Sequence, residues 1–302
     1  MDRLLVTGAS GFIGKGVLEE LQKRAEYEIY AVTTDENHLR GYEGIHIVEA
    51  DILDAKATSE IMAKIHPQKC IHLAWRLAGN NDFMQSDSNL EWLKASIHLL
   101  QQFVKQGGKR MIFAGSSSEY GFFDEPLKEN KYMECLNLYG YCKRTFTEIG
   151  GKYCNENQVS FATARFFSVY GRYDNRPGRA IPSAIRSFYD GEKIVCKSPN
   201  AYWDYIYIDD AANAVADLTA SDYNGIMNIG SGKLISMKEV FTKIARQMKA
   251  EHLLSFENEN EQKRMLVADN SKMLEILGER DLVKLEDGME RTIEWFTREN
   301  SK

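Results

Sequence analysis

Two features of the sequence predict an α/β fold built on a doubly wound parallel sheet, and a third points to its chemistry. Short apolar runs alternate with amphipathic helical stretches through the first half of the chain. A glycine-rich turn, Val6-Thr7-Gly8-Ala9-Ser10-Gly11-Phe12-Ile13-Gly14, joins the first apolar run to the first helix. Far downstream, Tyr139-Gly140-Tyr141-Cys142-Lys143 follows the serine run Ser116-Ser117-Ser118.

Leu4–Thr7 reads as a buried strand, and Phe12–Arg24 as a helix with Ile13, Val17, Leu18 and Leu21 at helical spacing. Strands follow at Ile29–Thr33 and Ile45–Glu49, then a helix at Lys56–Ile65 and a strand at Cys70–Ala74. A helix over Leu90–Lys105, a strand at Met111–Ala114, a long helix over Leu138–Asn155 and a strand at Val159–Phe166 complete this half. After about residue 170 the rhythm changes, with the polar, Arg-rich stretch Arg172–Arg179. Helices are expected near Ile181–Tyr189, from Asp209, near Met237–Met248 and near Glu286–Phe296, with strands at Tyr205–Ile208 and Met227–Ile229. The division expected is residues 1–170 for a dinucleotide-binding domain. Residues 171–302 form mainly a smaller α/β lobe for substrate, some of whose elements return to the first domain.

A chain of 302 residues, 43% hydrophobic and 27% charged, has the composition of a soluble globular protein with a large core. Its net charge of −6 argues against broad nucleic-acid binding, which needs a basic surface. Cys70, Cys135, Cys142, Cys154 and Cys196 are odd in number and form no CxxC pair, so reduced thiols are expected rather than a disulfide framework or zinc site. No metal site is expected. Neither a signal-peptide pattern nor a long apolar run is evident, so the expectation is a cytoplasmic protein with no membrane span.

The glycine spacing suits a dinucleotide. Gly8 permits the tight turn, Gly11 lets the backbone approach a pyrophosphate, and Gly14 lets the helix pack on the strand. The helix N-terminus, with Ser10, Phe12 and Ile13, then offers N–H groups and partial positive charge to phosphates. Thr33 and Thr34 end the second strand, where an acidic residue commonly binds the ribose of NAD. Hydroxyls there tolerate a 2′-phosphate, and Lys15, His38 or Arg40 would supply charge, so NADP(H) is favoured over NAD(H). The alternative is that Asp35 reaches back and selects NAD. Asp51 and Ile52, after the third strand, are placed to border the adenine; an ordinary helix-leading loop is the other reading.

Tyr139 and Lys143 stand at i and i+4 and share one helix face. A neighbouring ammonium lowers a phenol from its usual value of about 10 and lets it exchange a proton near neutrality. Lys143 is also placed to bind the nicotinamide ribose, and a serine hydroxyl from the run at Ser116 would orient a substrate oxygen. This set suits carbonyl–alcohol interconversion coupled to hydride transfer. Tyr141 lacks a lysine at the matching position, which holds Thr145. His72 reads as a structural residue after a buried strand.

These residues resemble the extended short-chain dehydrogenase/reductase family, in its nucleotide-sugar epimerase/dehydratase branch. The resemblance also rests on Ile71-His72-Leu73-Ala74, on Ser116 four residues before Tyr120-Gly121, and on Arg165-Phe166-Phe167-Ser168-Val169-Tyr170-Gly171. Trp203 through Asp210 and Asn228-Ile229-Gly230-Ser231-Gly232 extend it over nearly the whole chain. It implies a Rossmann-like sheet binding NAD(P) and a C-terminal lobe binding a nucleoside-diphosphate sugar. By motif, Tyr139 is the acid/base, Lys143 its partner and Ser116 the orienting hydroxyl. Leu73, Ala74 and Phe166 would border the cofactor; Ser117, Ser118, Ser168, Arg179 and Arg264 would face the substrate. A homodimer through the Leu90–Lys105 and Leu138–Asn155 helices is implied as well.

Departures from the family pattern narrow the expectation. Ser117-Ser118 stands where 4,6-dehydratases carry Asp-Glu, so dehydration is not expected. Ser168 replaces the usual Asn and Trp203 the usual Arg of an Arg-Asp pair; Arg172, Arg176, Arg179 or Arg264 would have to replace the lost diphosphate contact. His72-Leu73-Ala74-Trp75 and the Ser116–Tyr120 segment resemble 4-ketoreductases of deoxysugars. The leading expectation is therefore a reductase of a nucleoside-diphosphate 4-keto-deoxysugar. The alternative is a 4-epimerase on retained NAD, and a non-catalytic dinucleotide-sensing protein is a third reading.

Overall fold

The computed structural model describes residues 1–77, 81–131, 134–258 and 264–301. Its first half runs β1 (Asp2–Thr7), α1 (Phe12–Arg24), β2 (Tyr27–Thr33), β3 (His46–Glu49), α2 (Ala55–Ile65), β4 (Lys69–His72), α3 (Ser88–Lys105), β5 (Arg110–Ser116), α4 (Leu138–Glu156) and β6 (Ser160–Phe166). The second half runs β7 (Ser168–Tyr170), α5 (Ala180–Tyr189), β8 (Ile194–Cys196), β9 (Ala201–Trp203), β10 (Tyr205–Tyr207), α6 (Ile208–Ala220) and β11 (Gly225–Ile229). It closes with β12 (Ile235–Ser236), α7 (Met237–Gln247), β13 (Leu254–Phe256), β14 (Arg264–Leu266), α8 (Ser271–Leu277) and α9 (Leu285–Asn300).

Seven parallel strands form one sheet in the order β3-β2-β1-β4-β5-β6-β11. The order reverses beside β1, which opens a crevice at the carboxyl ends of β1 and β4. Both faces are covered, and the alternation of strand side chains shows it. Leu4 and Val6 of β1 pack with Val17, Leu18 and Leu21 of α1 and Ala211 and Val215 of α6. Leu5, between them, faces the opposite layer with Leu99 and Phe103 of α3 and Phe146 of α4. A strand buried on both sides reads as an unbroken apolar run, as Leu4–Val6 does.

The smaller lobe is assembled from short pieces. β7 pairs with β10, β9 lies between β12 and β14, and β8 pairs with β13. β11 returns to the edge of the main sheet, in register with β6 from Gly225–Ala162 to Ile229–Phe166. Asp204, fully buried, ties the two regions together. Its carboxylate accepts from Ser231 N (2.7 Å), Ser231 Oγ (2.7 Å), Gly232 N (2.9 Å) and Ala268 N (3.1 Å).

Two expected strands start one residue late, at His46 and Ser160, and two end early. The strand expected over Cys70–Ala74 ends at His72, because Leu73 and Ala74 turn against the glycine loop. Ile208, expected as strand, opens α6. Among the described residues no helix is long and apolar enough to cross a membrane.

Replacing Asp204 with alanine leaves several buried N–H and O–H donors without an acceptor, each worth about 1–3 kcal/mol. The expected outcome is a loss of roughly 3 kcal/mol or more in urea denaturation, whereas a drop under about 1 kcal/mol would show that water replaces the carboxylate.

Candidate active site

The crevice begins at Gly8, whose φ of +68° lies in the left-handed region. A Cβ on Gly8 would stand 2.6 Å from Ala74 N, and one on Gly14 would stand 2.2 Å from Gly8 O. These two glycines close the strand–turn–helix unit. At Gly11 the added Cβ would meet a single neighbour, Gly8 O at 3.1 Å, so backbone there lies open to a ligand. Gly11 brings no side-chain cap to α1. The N–H groups of Phe12 and Ile13 are first-turn donors without an intrahelical acceptor, which suits a diphosphate. Ser10, Phe12, Ile13 and Leu73 are half-buried around this turn, and Ala74 is buried.

The far end of the crevice differs from the NADP(H) expectation. Thr33 is buried and its hydroxyl donates toward Ser10 Oγ (2.9 Å) and Asp35 O (3.0 Å), so it is engaged within the protein. Thr34 is exposed. Asp35 accepts from Asn37 N (2.9 Å) and Asn37 Nδ2 (2.7 Å), and these bonds hold its carboxyl below the usual range. His38 lies 3.8 Å from that carboxylate, and Lys15 sits over the Tyr173 ring at 5.4 Å. Two of the three cations expected to meet a 2′-phosphate therefore already face other groups. Asp51, exposed, accepts from Leu53 N (2.9 Å), the ordinary role of an aspartate ahead of a helix; Ile52 is buried beside it.

The three expected catalytic side chains converge at the end of β5. Ser116 is the last residue of that strand, and Ser117–Glu119 form a tight 3-10 turn after it. Ser116 Oγ accepts from Ser118 N (3.2 Å), and Glu119 Oε1 accepts from Ser116 N (2.7 Å), a reciprocal capping box. The turn rests directly on α4. A Cβ on Gly140 would stand 2.3 Å from Ser118 O, so only glycine admits this approach. Asn137 caps α4 by accepting from Gly140 N (2.8 Å). The result is that the Ser116 hydroxyl faces the Tyr139 phenol closely enough to lower it.

Tyr139 is 8% exposed and Lys143 3%. Tyr139 meets Phe83 and Trp75 edge-on. Lys143 Nζ donates to Ala114 O (2.8 Å) and lies 4.2 Å from the Trp75 ring and 4.7 Å from the Phe113 ring. Burial lowers Lys143 to about 7, opposed by the Glu119 charge. Burial pushes the Tyr139 phenol up to about 12, opposed by the Ser116 hydroxyl. The groups that lower Tyr139 are Ser116, Arg176 and Arg179, rather than the lysine from which the lowering was expected, and burial outweighs them.

His72 is fully enclosed beneath this corner. Its Nδ1 contacts Thr7 Oγ1 (2.6 Å) and its Nε2 contacts Ser96 Oγ (2.8 Å), and burial holds it neutral, lowered to about 3. It is a core histidine.

Of the residues expected to face substrate, Ser117 is buried and Ser118 is half-buried over Gly140. Ser168 opens β7, its N–H donating to Asp204 O (3.0 Å). Arg179 donates to Val169 O, lies 3.1 Å from Asp174 and sits 5.8 Å from the Phe12 ring. Arg176 lies 3.9 Å from the same carboxylate. Both guanidiniums act on the Tyr139 phenol, lowering it. Arg172 points elsewhere, pairing with Glu19 and Asp209. Arg264 opens β14, and its side chain lies outside the described residues. Phe166 is buried at the end of β6, in register with Ser116. Sequence reasoning missed three contributors: Gly140, Trp75 and the Glu119–Arg165 pair. A glycine inside a helix, immediately after the tyrosine, was the available signal for the first.

The folded protein holds the Lys143 proton less tightly than the unfolded chain does, so the unfolded chain binds more protons between about pH 7 and 10.5. Stability rises with pH across that window, and the burial penalty is fully present below it. Lys143→Met removes the penalty. In thermal melts of the ligand-free protein the variant should exceed wild type below pH 7, with the gap closing as pH rises toward 10.5. A constant gap across that range would contradict this assignment.

Comparison with known proteins adds to the geometry. Residues 4–230 match the model of the NAD dependent epimerase/dehydratase family. The chain is 27% identical to a UDP-glucuronate 4-epimerase of Thermodesulfobacterium geofontis, over 99% of this chain and 97% of that protein. It is 25% identical to a dTDP-4-dehydro-6-deoxyglucose reductase of Escherichia coli, over 96% of each. Its fold matches the crystal structure of Thermus thermophilus UDP-glucose 4-epimerase in complex with NAD. The TM-score is 0.86 at 21% identity, covering 98% of this chain and 99% of that one.

Proposed function

Because the chain belongs to the NAD-dependent epimerase/dehydratase family, we propose that it transfers hydride between NAD(H) and carbon 4 of a nucleoside-diphosphate sugar. The observation that carries this reading is the convergence of Ser116, Tyr139 and Lys143 at the same carboxyl edge of the sheet as the uncapped N-terminus of α1. When bound there, NAD supplies the hydride acceptor or donor. Gly11, Phe12 and Ile13 hold its diphosphate, and Leu73, Ala74 and Phe166 border it. Tyr139 exchanges a proton with the sugar oxygen, Ser116 Oγ orients that oxygen, and Lys143 Nζ supplies the positive charge that favours phenolate. Ser117, Ser118 and Ser168 line the sugar side, and Arg179 with Arg176 engages the substrate diphosphate.

NAD(H) is the cofactor we propose, in place of the NADP(H) expected from Thr33 and Thr34. The family's NAD dependence and the NAD complex of the Thermus thermophilus structure support this, and the carboxylates of Asp35 and Glu49 stand by the turn after β2, where a ribose would lie.

Two net reactions share every step at carbon 4. Reduction of a 4-keto-deoxysugar uses one hydride transfer, and the E. coli relative is named for such a substrate. Epimerisation oxidises and re-reduces the same carbon, and the T. geofontis relative is named for that reaction. Dehydration is not proposed, since Ser117-Ser118 offers no carboxyl acid and base.

The protein should be assayed with UDP- and dTDP-hexoses and their 4-keto forms. Interconversion of C4 epimers without added cofactor identifies the epimerase; consumption of NADH by the 4-keto sugar identifies the reductase. Tyr139→Phe should lower turnover by about 10²–10⁴-fold with cofactor binding retained; near wild-type turnover would sink the mechanism. Arg179→Ala should raise KM far more than it lowers kcat.

A homodimer is proposed through α3 and α4. Leu90 is 49% exposed on α3, and Tyr141 and Ile149 of α4 are 53% and 39% exposed. Sedimentation of the purified protein as a dimer of 34.5 kDa chains would support this, and a monomer at micromolar concentration would refute it.

A further inference from the structure

A buried ion pair lies directly beneath the catalytic corner, and no step above uses it. Glu119 and Arg165 are both fully buried, with side chains 0% exposed. Arg165 donates to Glu119 Oε2 from Nε (3.1 Å) and from Nη2 (2.8 Å). The other carboxylate oxygen accepts from Ser116 N (2.7 Å). Several elements hold this carboxylate in place. Gly115 has no side chain where a Cβ would stand 2.7 Å from Glu119 Oε1, and Cys135 Sγ donates to Glu119 O (3.1 Å). The Arg165 guanidinium lies 4.3 Å from the Tyr120 ring, and Tyr120 in turn donates to Asn228 Oδ1 (2.8 Å) on β11. A buried pair of this kind is commonly no better for stability than apolar residues of the same size, so its place beside three reacting groups asks for another explanation.

We propose that Glu119 is a positioning residue. Its carboxylate fixes the Ser116 backbone so that Oγ meets the Tyr139 phenol, and its fixed negative charge keeps the proton on the Tyr139–Lys143 pair until substrate arrives. The role rests on the reading of Ser116, Tyr139 and Lys143 given above. The charged and titratable groups facing this corner are Arg165 and Tyr120 beside Glu119, Lys143 on α4, His72 on β4, Cys135, and Arg176 and Arg179 on the substrate side. His72 is neutral, and the two substrate-side arginines lower Tyr139. Glu119 acts in the opposite sense, raising both Tyr139 and Lys143. Arg165 anchors the carboxylate from the side away from Ser116 N.

The test is a pH titration by NMR of the full chain, labelled at tyrosine Cζ and saturated with NAD, with the Tyr139 signal assigned from Tyr139→Phe. Glu119→Gln keeps an acceptor for Ser116 N and removes the charge. Glu119→Gln combined with Arg165→Met removes both charges and leaves no unpaired guanidinium. The Tyr139 midpoint should fall by on the order of one pH unit in Glu119→Gln, and by less, though measurably, in the double variant, whose lost guanidinium opposed the Glu119 charge. A midpoint within about 0.2 units of wild type in a folded variant overturns the proposal. Loss of the fold in both variants also overturns it, assigning the pair to stability alone. No substrate is needed, so failure to turn over nucleotide sugars would defeat the functional reading while leaving this result intact.

Discussion

The corner proposed for catalysis depends on one steric contact, the seating of the Ser118 carbonyl on Gly140. β5 delivers Ser116 from the sheet, while α4 delivers Tyr139 and Lys143 from the covering layer. Nothing in either element alone brings them together. A side chain at position 140 would push against backbone, which cannot rotate away as a flexible side chain can. Glycine within a helix costs about 1 kcal/mol relative to alanine, and here that cost accompanies the approach of two elements from different layers. The same device recurs at the cofactor end, where Gly8 and Gly14 let β1, α1 and the residues after β4 close on one another. Both halves of the proposed reaction site are therefore built from backbone-to-backbone approaches.

Electrostatics then sets how that geometry is used. Tyr139 and Lys143 are buried together among Trp75, Phe83 and Phe113, and burial disfavours the charged form of each. Burial brings Lys143 down to about 7 and keeps the proton on the Tyr139 phenol. Its fixed charges lie around it: Glu119 with Arg165 beneath, Arg176 and Arg179 on the substrate side. An anionic substrate meeting the two arginines would offset the charge that lowers Tyr139. Binding and proton affinity would then be linked through the same side chains.

Much of this was legible in the sequence because it rests on local pattern. The glycine turn, the i, i+4 relation of Tyr139 and Lys143 and the alternation of strands and helices each follow from spacing within one element. What escaped depends on contacts between elements distant in sequence. Nothing in the sequence around Glu119 signals burial, and only its meeting with Arg165 on the neighbouring strand explains it. The strands β7, β8, β9, β12, β13 and β14 are two or three residues long, too short for any periodicity to register. The preference for NADP(H) failed to find support for a related reason. The Thr33 hydroxyl that would have met a phosphate is engaged with Ser10, and that contact joins the end of β2 to the turn after β1.

The most direct test of this account is single-turnover hydride transfer in Gly140→Ala, using the nucleotide sugar that wild type turns over. If the Ser118–Gly140 contact aligns Ser116 with Tyr139, the variant should bind NAD about as tightly as wild type. Hydride transfer should slow by on the order of 10²-fold, as expected for a displacement near 1 Å. Hydride transfer at the wild-type rate in a folded variant would show that the alignment does not depend on this contact, and would contradict the account.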